Sequence, residues 1–393
     1  MRVLGLSSGT SHDGIDCAVV DFTRDDDRIV GDIVHASTFA YPPPLRTALI
    51  AALPPQQTTL GAACRLDTFV GQAFANAAAR VVAASGPVDL VCSHGQTVYH
   101  WVDGGDVRGT LQIGQAAWIA ERLGVPVVSD LRVRDVAAGG HGAPLVSYLD
   151  LLLLSPMPGR PAALNLGGIA NLTVRDSDEG AIAFDTGPGN ALIDAGAMLA
   201  SGRPFDAGGT IAGRGRVHEA LLADLLDEPY YRRQPPKTTG KELFNAEYLS
   251  NAVSRHAPVR PEDAVRTVTE LTAATVATQL RRLRVETVMV SGGGVHNPVL
   301  MGRLRTLVAP ARLLGTEEVG VPPDAKEAVA FALVGWLTAH GLPATVASCT
   351  GARGARILGT IAPGAGPLRL PEPMAKPPTR LEFRGATHAS VPG

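Results

Sequence analysis

Ala162-Ala163-Leu164-Asn165-Leu166-Gly167-Gly168-Ile169-Ala170-Asn171-Leu172-Thr173-Val174 reads as a strand, a two-glycine turn and a returning strand. Two apolar runs interrupted only by glycines leave a tight hairpin as the economical connection. A third apolar run at 181–184 ends at Asp185, and Pro188-Gly189-Asn190 then opens a helix. The first forty residues follow the same plan: apolar runs at 3–6, 15–22 and 29–39, a polar turn at 7–14, a charged turn at 23–28, and Pro42-Pro43-Pro44 before a helix.

The rest of each half reads as further strands and helices. Leu60, Ala63, Leu66, Val70, Phe74, Ala77 and Val81 recur at helical spacing, which predicts a long helix over 58–84. A strand at 88–92 leads into Ser93-His94-Gly95-Gln96-Thr97, followed by a helix at 115–123 and a strand at 125–128. In the second half a helix at 262–283, a strand at 287–291 and a helix at 298–308 are expected. Residues 324–340 form a helix apolar nearly all round, hence buried. The fold class is therefore α/β with two similar lobes. The expected division is 1–130 with about 345–362 in one lobe and 131–344 in the other. The proline-rich tail, 363–393, is expected to be extended or partly disordered. Two hairpin turns facing one ligand would suit a phosphate chain held between lobes.

The 393 residues carry 35 Lys+Arg against 37 Asp+Glu, a net charge of −2, which excludes nucleic-acid or anionic-membrane binding driven by bulk charge. Only 5% of residues are aromatic, so Ala, Val and Leu must fill the core. Cys17, Cys64, Cys92 and Cys349 are scattered without a C-x-x-C pair, against a disulfide framework or a zinc site. No signal peptide and no apolar run of about 18 residues is present, so a cytoplasmic location is expected.

Several segments have the chemistry of a site. Gly9, Thr10, Ser11, His12, Asp13, Gly14, Ile15 and Asp16 combine small, hydroxyl and acidic residues. Their backbone N–H groups and hydroxyls suit phosphate oxygens, and Asp13 or Asp16 suits Mg2+. The same composition also makes an ordinary hairpin turn. Gly167 and Gly168 carry the same two readings. Gly292, Gly293 and Gly294 precede Asn297-Pro298 at a helix start, where a flat ligand could lie against backbone. Asp185 follows an apolar strand, so burial would raise its pKa and suit a general base, although a helix-capping Asp has the same look. Thr97 follows the 88–92 strand. Arg132 and Arg134 suit a carboxylate, or belong to a structural ion-pair network with Asp130 and Asp135. Glu327 sits where a helix dipole favours an acid, or where a sugar hydroxyl could be bound.

Taken in order, nine stretches resemble the anhydro-N-acetylmuramic acid kinase family: G-T-S-x-D-G-I-D at 9–16, S-H-G-Q-T at 93–97, S-D-x-R-x-R-D at 129–135, G-A-P-L at 142–145, N-L-G-G-I-A-N at 165–171, F-D-T-G-P-G-N at 184–190, P-P-K-T-T-G at 235–240, G-G-G-x-H-N-P at 292–298 and D-A-K-E-A-x-A-F-A at 324–332. The resemblance covers about residues 1–360. It implies two ribonuclease-H-like lobes around an ATP cleft, as in sugar kinases, actin and heat-shock chaperone ATPases. It implies ATP with Mg2+ as cofactors, a small-molecule sugar partner, no nucleic acid or membrane, and allows a homodimer, common in the family.

The implied reaction opens 1,6-anhydro-N-acetylmuramic acid with water and phosphorylates O6, in cell-wall recycling. By resemblance Asp185 is the general base, residues 9–16 hold phosphates and magnesium, Gly167 and Gly168 touch phosphate, and Gly292–Gly294 seats adenosine. Thr97, Arg132, Arg134 and Glu327 become sugar contacts. Ser7, His12 and His141 depart from the residues common in the family at those positions. A hexokinase-like kinase of a free amino sugar and a non-catalytic ATP-binding sensor are the competing readings.

Overall fold

The computed structural model describes residues 1–386 except 10, 11, 105, 177–179, 236 and 241. The chain forms two compact units, Met1–Ser155 with Glu317–Gly393, and Pro156–Thr316.

In the first unit β1 (Arg2–Ser8) pairs antiparallel with β2 (Gly14–Asp25), and β2 pairs antiparallel with β3 (Arg28–Ala40). β4 (Leu90–Asp103) lies parallel to β1; β5 (Asp106–Ile113) folds back on it, and β6 (Val127–Ser129) lies parallel to β4. All but the first residue of β1 are buried, as expected for a central strand covered on both faces. One cover is the helix Leu60–Ser85, whose Leu66, Val70, Phe74 and Val81 join Leu4, Leu6 and Val19 in the core. The helix Lys326–Ala339 packs closely too: a Cβ at Gly5 would overlap the Ala328 carbonyl oxygen, and one at Gly335 would stand 2.6 Å from Cys92 Cβ.

The second unit repeats the plan with β7 (Pro161–Leu166), β8 (Ile169–Asp176), β9 (Gly180–Pro188), β10 (Thr287–Ser291) and β11 (Arg312–Gly315). Its strand order is β11-β10-β7-β8-β9, antiparallel in the β7-β8-β9 meander and parallel from β7 outward. The helices Pro261–Arg282 and Pro298–Val308 supply buried Val268, Leu271, Val276, Leu300 and Leu304 to its core. Both sheets thus have the ribonuclease-H-like arrangement: a three-strand meander extended by parallel strands.

The structure differs from the sequence reading at several points. Residues 131–155 and 317–344, assigned from sequence to the second lobe, belong to the first unit. The reason is that the apolar Lys326–Ala339 helix covers β1, and its buried Lys326 pairs with Asp150. The described part of the tail, 363–386, is extended and contributes one strand: β13 (Arg380–Phe383) pairs with β3, while β12 (Thr360–Ala362), just before the tail, pairs with β6 at the opposite edge of the same sheet; residues 387–393 lie outside the described residues. β4 runs on through Ser93–Thr97 instead of stopping before it. Among the described residues no helix is long and apolar enough to cross a membrane.

Candidate active site

Asp185 lies within β9, not at its end. Ala170 pairs with Gly187 while Asn171 pairs with Asp185, so Thr186 is an extra residue in β9. Such a bulge turns the strand locally and re-aims its side chains. The Thr186 hydroxyl donates to the Ala170 carbonyl at 3.1 Å, anchoring the irregularity.

The Asp185 carboxylate is gripped from one side. Its Oδ2 accepts from the Thr238 hydroxyl at 2.8 Å and from the Thr239 backbone N–H at 2.9 Å. No described residue donates a hydrogen bond to Oδ1. The backbone is fixed as well: Asp185 N–H donates to the Lys237 carbonyl at 3.0 Å, and the Tyr230 hydroxyl donates to the Asp185 carbonyl at 2.7 Å. Burial raises the Asp185 pKa; the Thr239 and Thr238 donors and Lys237 oppose that rise, while Glu242 adds to it. The helix-cap alternative fails, because the cap residue of the helix Ala191–Ser201 is Asn190.

The glycine turns of the second unit pack on one another. Gly189, Asn190 and Ala191 donate backbone N–H groups to the Gly168, Gly167 and Gly168 carbonyls at 2.9, 2.8 and 3.0 Å. Gly292 has φ +86°, and a Cβ there would come 2.6 Å from Asn165 Oδ1; at Gly294 it would come 2.6 Å from Leu166 Cβ. Both positions therefore need glycine for packing. At Gly293 the nearest atom is Asn190 Nδ2 at 3.9 Å, leaving room beside the backbone. Asn297 Oδ1 accepts from Val299 and Leu300 N–H, capping the following helix.

In the first unit the β1–β2 turn is held by Gln96. This fully buried side chain donates from Nε2 to the Gly9 and Thr97 carbonyls, both at 3.2 Å. The Ser8 hydroxyl lies 2.7 Å from both Gln96 Oε1 and the Gly14 carbonyl. His12 takes φ +53°, and its carbonyl accepts from Arg46 Nε at 2.9 Å. The Ile15 side chain belongs to the core, so only its backbone can face a ligand. Thr10 and Ser11 lie outside the described residues.

Asp16 accepts from the Thr38 hydroxyl at 2.6 Å. Burial pushes its pKa up to about 6 against that donor, with Glu327, Asp13 and Asp324 adding repulsion. Among the described residues no three His, Cys, Asp or Glu side chains gather as a metal cage. Mg2+, however, takes only one or two carboxylates and completes its shell with water and phosphate. Hard oxygen donors in mutual repulsion therefore fit that ion.

Arg132 and Glu327 are electrostatic neighbours; Arg134 is exposed. Arg132 donates from Nε to His94 Nε2 at 2.8 Å and from Nη1 to the Gly142 carbonyl at 2.6 Å. Burial lowers its pKa, against the attraction of Glu327 and Asp135. Since His94 Nε2 accepts, its Nδ1 carries the proton toward the Gly95 carbonyl; burial and Arg132 hold the ring neutral. Thr97 accepts from Gln112 Nε2 at 3.2 Å. Sequence reasoning assigned no role to Lys237, Thr238 and Thr239, although they stand in the quoted P-P-K-T-T-G motif.

The family model of anhydro-N-acetylmuramic acid kinase matches residues 1–364. The chain belongs to this family. The Streptomyces coelicolor anhydro-N-acetylmuramic acid kinase is 51% identical over 389 residues, covering 98% of this chain and 100% of that protein. The enzymes of that name from Rhodococcus erythropolis and a Cyanothece species are 50% and 40% identical, covering 93% and 92% of this chain and 95% and 99% of those proteins. The chain is thus a member of a kinase family, and ATP use follows from that membership.

Proposed function

We propose that this kinase opens 1,6-anhydro-N-acetylmuramic acid with water and transfers the γ-phosphoryl group of ATP to O6, giving N-acetylmuramic acid 6-phosphate and ADP in cell-wall recycling. The observation that carries the mechanism is Asp185: one oxygen is fixed by Thr238 and Thr239, while the other has no described donor. A half-buried carboxylate whose pKa desolvation raises is a stronger base than a fully exposed one.

In this reading Asp185 takes a proton from water as the water oxygen attacks the anomeric carbon. The bond from that carbon to the bridging oxygen breaks, and the freed O6 forms the new bond to phosphorus as the bond to ADP breaks. Attack opposite the bridge inverts the anomeric centre. Joining the steps spares the enzyme a second encounter, because the leaving group of one is the nucleophile of the other.

The β1–β2 turn and the Gly167–Gly168 turn are assigned to phosphate, and Gly293 to the adenosine side. Asp13 and Asp16 would hold Mg2+, which supplies charge neutralisation to the transferring phosphoryl group when bound. Thr97, Arg132 and Glu327 are assigned to the sugar. Arg134 is assigned there only by resemblance, and its side chain is exposed. A cytoplasmic location accords with an intracellular supply of ATP.

The test is ADP release with the anhydro sugar, with N-acetylmuramic acid as the control acceptor. Mass analysis should show one water and one phosphoryl group added. Equal turnover of the free sugar would replace this reading with ordinary hydroxyl phosphorylation.

A further inference from the structure

We infer that Lys237 is a positioning residue for Asp185. The inference deepens the proposed function and rests on Asp185 acting as base. Lys237 is buried, with only 8% of its surface exposed. Its Nζ donates to the Tyr230 and Tyr231 carbonyls, both at 3.3 Å, and stands 4.6 Å from the centre of the Tyr230 ring. The same residue accepts the Asp185 backbone N–H through its carbonyl. Thr238 and Thr239, the next two residues, grip the Asp185 carboxylate. Tyr230 closes the loop from the other side by donating its hydroxyl to the Asp185 carbonyl.

One ammonium thus ties the strand carrying the base, the 229–232 turn and the segment that orients the base. A buried lysine is costly, and two backbone carbonyls can be satisfied without a charge. Its positive charge also acts on Asp185 and favours the ionised carboxylate. The other charged groups bearing on this arrangement are Glu242 beside Asp185, and Arg233 and Arg282 beside Lys237. Glu242 opposes ionisation of Asp185, and Lys237 partly offsets it.

Lys237→Gln keeps a donor for the carbonyls and removes the charge. Its kcat should fall about tenfold with the sugar KM within about twofold, because the base and not the sugar contacts is disturbed. The acid limb of its kcat profile should move up by about half to one pH unit, since loss of a nearby cation raises the carboxyl pKa. Lys237→Arg keeps the charge on a wider head: the acid limb should stay at the wild-type pH while kcat falls about tenfold.

A folded Lys237→Gln enzyme with wild-type kcat and acid limb overturns the inference. Should that variant fail to melt cooperatively, Lys237→Arg decides alone, and wild-type kcat there overturns it. Asp185→Asn is assayed beside them. If it retains turnover, the assignment of the base is wrong; if it is inactive while the Lys237 variants match wild type, only the role of Lys237 falls.

Discussion

Lys326 Nζ stands 2.6 Å from Asp150 Oδ1, and both side chains are buried. The pair ties the first turn of the helix Lys326–Ala339 to the helix Ser147–Leu154, and the next residue along is Glu327. Removal of water from both ions offsets most of their attraction, but removing one partner strands the other. Asp150→Ala should therefore cost about 3–5 kcal/mol. Joint replacement by Asp150→Leu and Lys326→Met should recover most of that loss. Thermal or urea unfolding of these variants measures both outcomes, and a double variant as unstable as Asp150→Ala would refute the argument.

That pair also marks what the sequence could not convey. The hairpins around 7–14 and 167–168 were legible because apolar runs break at polar residues or glycines. The Gly292–Gly294 run and Pro298 punctuate the chain, so Thr287–Ser291 and Pro298–Val308 were found at their observed bounds. By contrast Tyr99, Trp101 and Val102 are exposed, which deprives the outer part of β4 of the buried face that alternation reports. The bulge at Thr186 and the contact of Lys237 with Tyr230 depend on partners distant in sequence or on another strand. Local pattern does not encode them.

Asp16 couples function to stability through its charge. Its folded pKa of about 6 exceeds the value of about 4 for an unfolded Asp. Between those values the folded chain holds the extra proton, so stability falls as pH rises through the window and stays lower above it. Asp16→Asn removes the repulsion with Glu327, Asp13 and Asp324 yet can still accept from Thr38. After allowance for partial exposure, it should be more stable than the parent by about 1–2 kcal/mol near pH 8 and equal to it near pH 4. Its affinity for Mg-ATP should drop. Unfolding curves at the two pH values test the stability difference; a gain persisting at the acidic one would locate its origin elsewhere.

Gly292 and Gly293 should separate packing from ligand binding. At Gly292 a methyl group meets Asn165 and the Leu166 backbone, in a conformation with φ +86° that disfavours alanine. Gly292→Ala should cost about 2–4 kcal/mol in stability. Gly293→Ala meets nothing closer than 3.9 Å and should melt close to wild type, while weakening ATP about tenfold if this face receives the nucleotide. Melting and nucleotide titration of both variants provide the comparison. Wild-type ATP affinity in Gly293→Ala would remove that glycine from the nucleotide site.

The C-terminal segment should act as an edge cover that stabilises the first sheet without touching catalysis. Phe383 is buried against Gly31, where a Cβ would come 2.6 Å from its ring, and Leu381 is buried beside it. Around them Glu382 pairs with Arg28 at 3.0 Å and the Thr379 hydroxyl donates to Asp27 at 2.6 Å. β13 thereby covers one edge of β3, whose unpaired backbone would otherwise be open to another chain. Phe383→Ala should cost about 3 kcal/mol. Deletion of 365–393, which lies beyond the matched family region, should lower the melting temperature and promote concentration-dependent association. In both variants KM for ATP and sugar should stay within about twofold of wild type, because no proposed ligand residue is removed. Light scattering beside the melts tests the edge argument: a deleted chain that stays monodisperse and melts like wild type would show that β13 contributes no such protection.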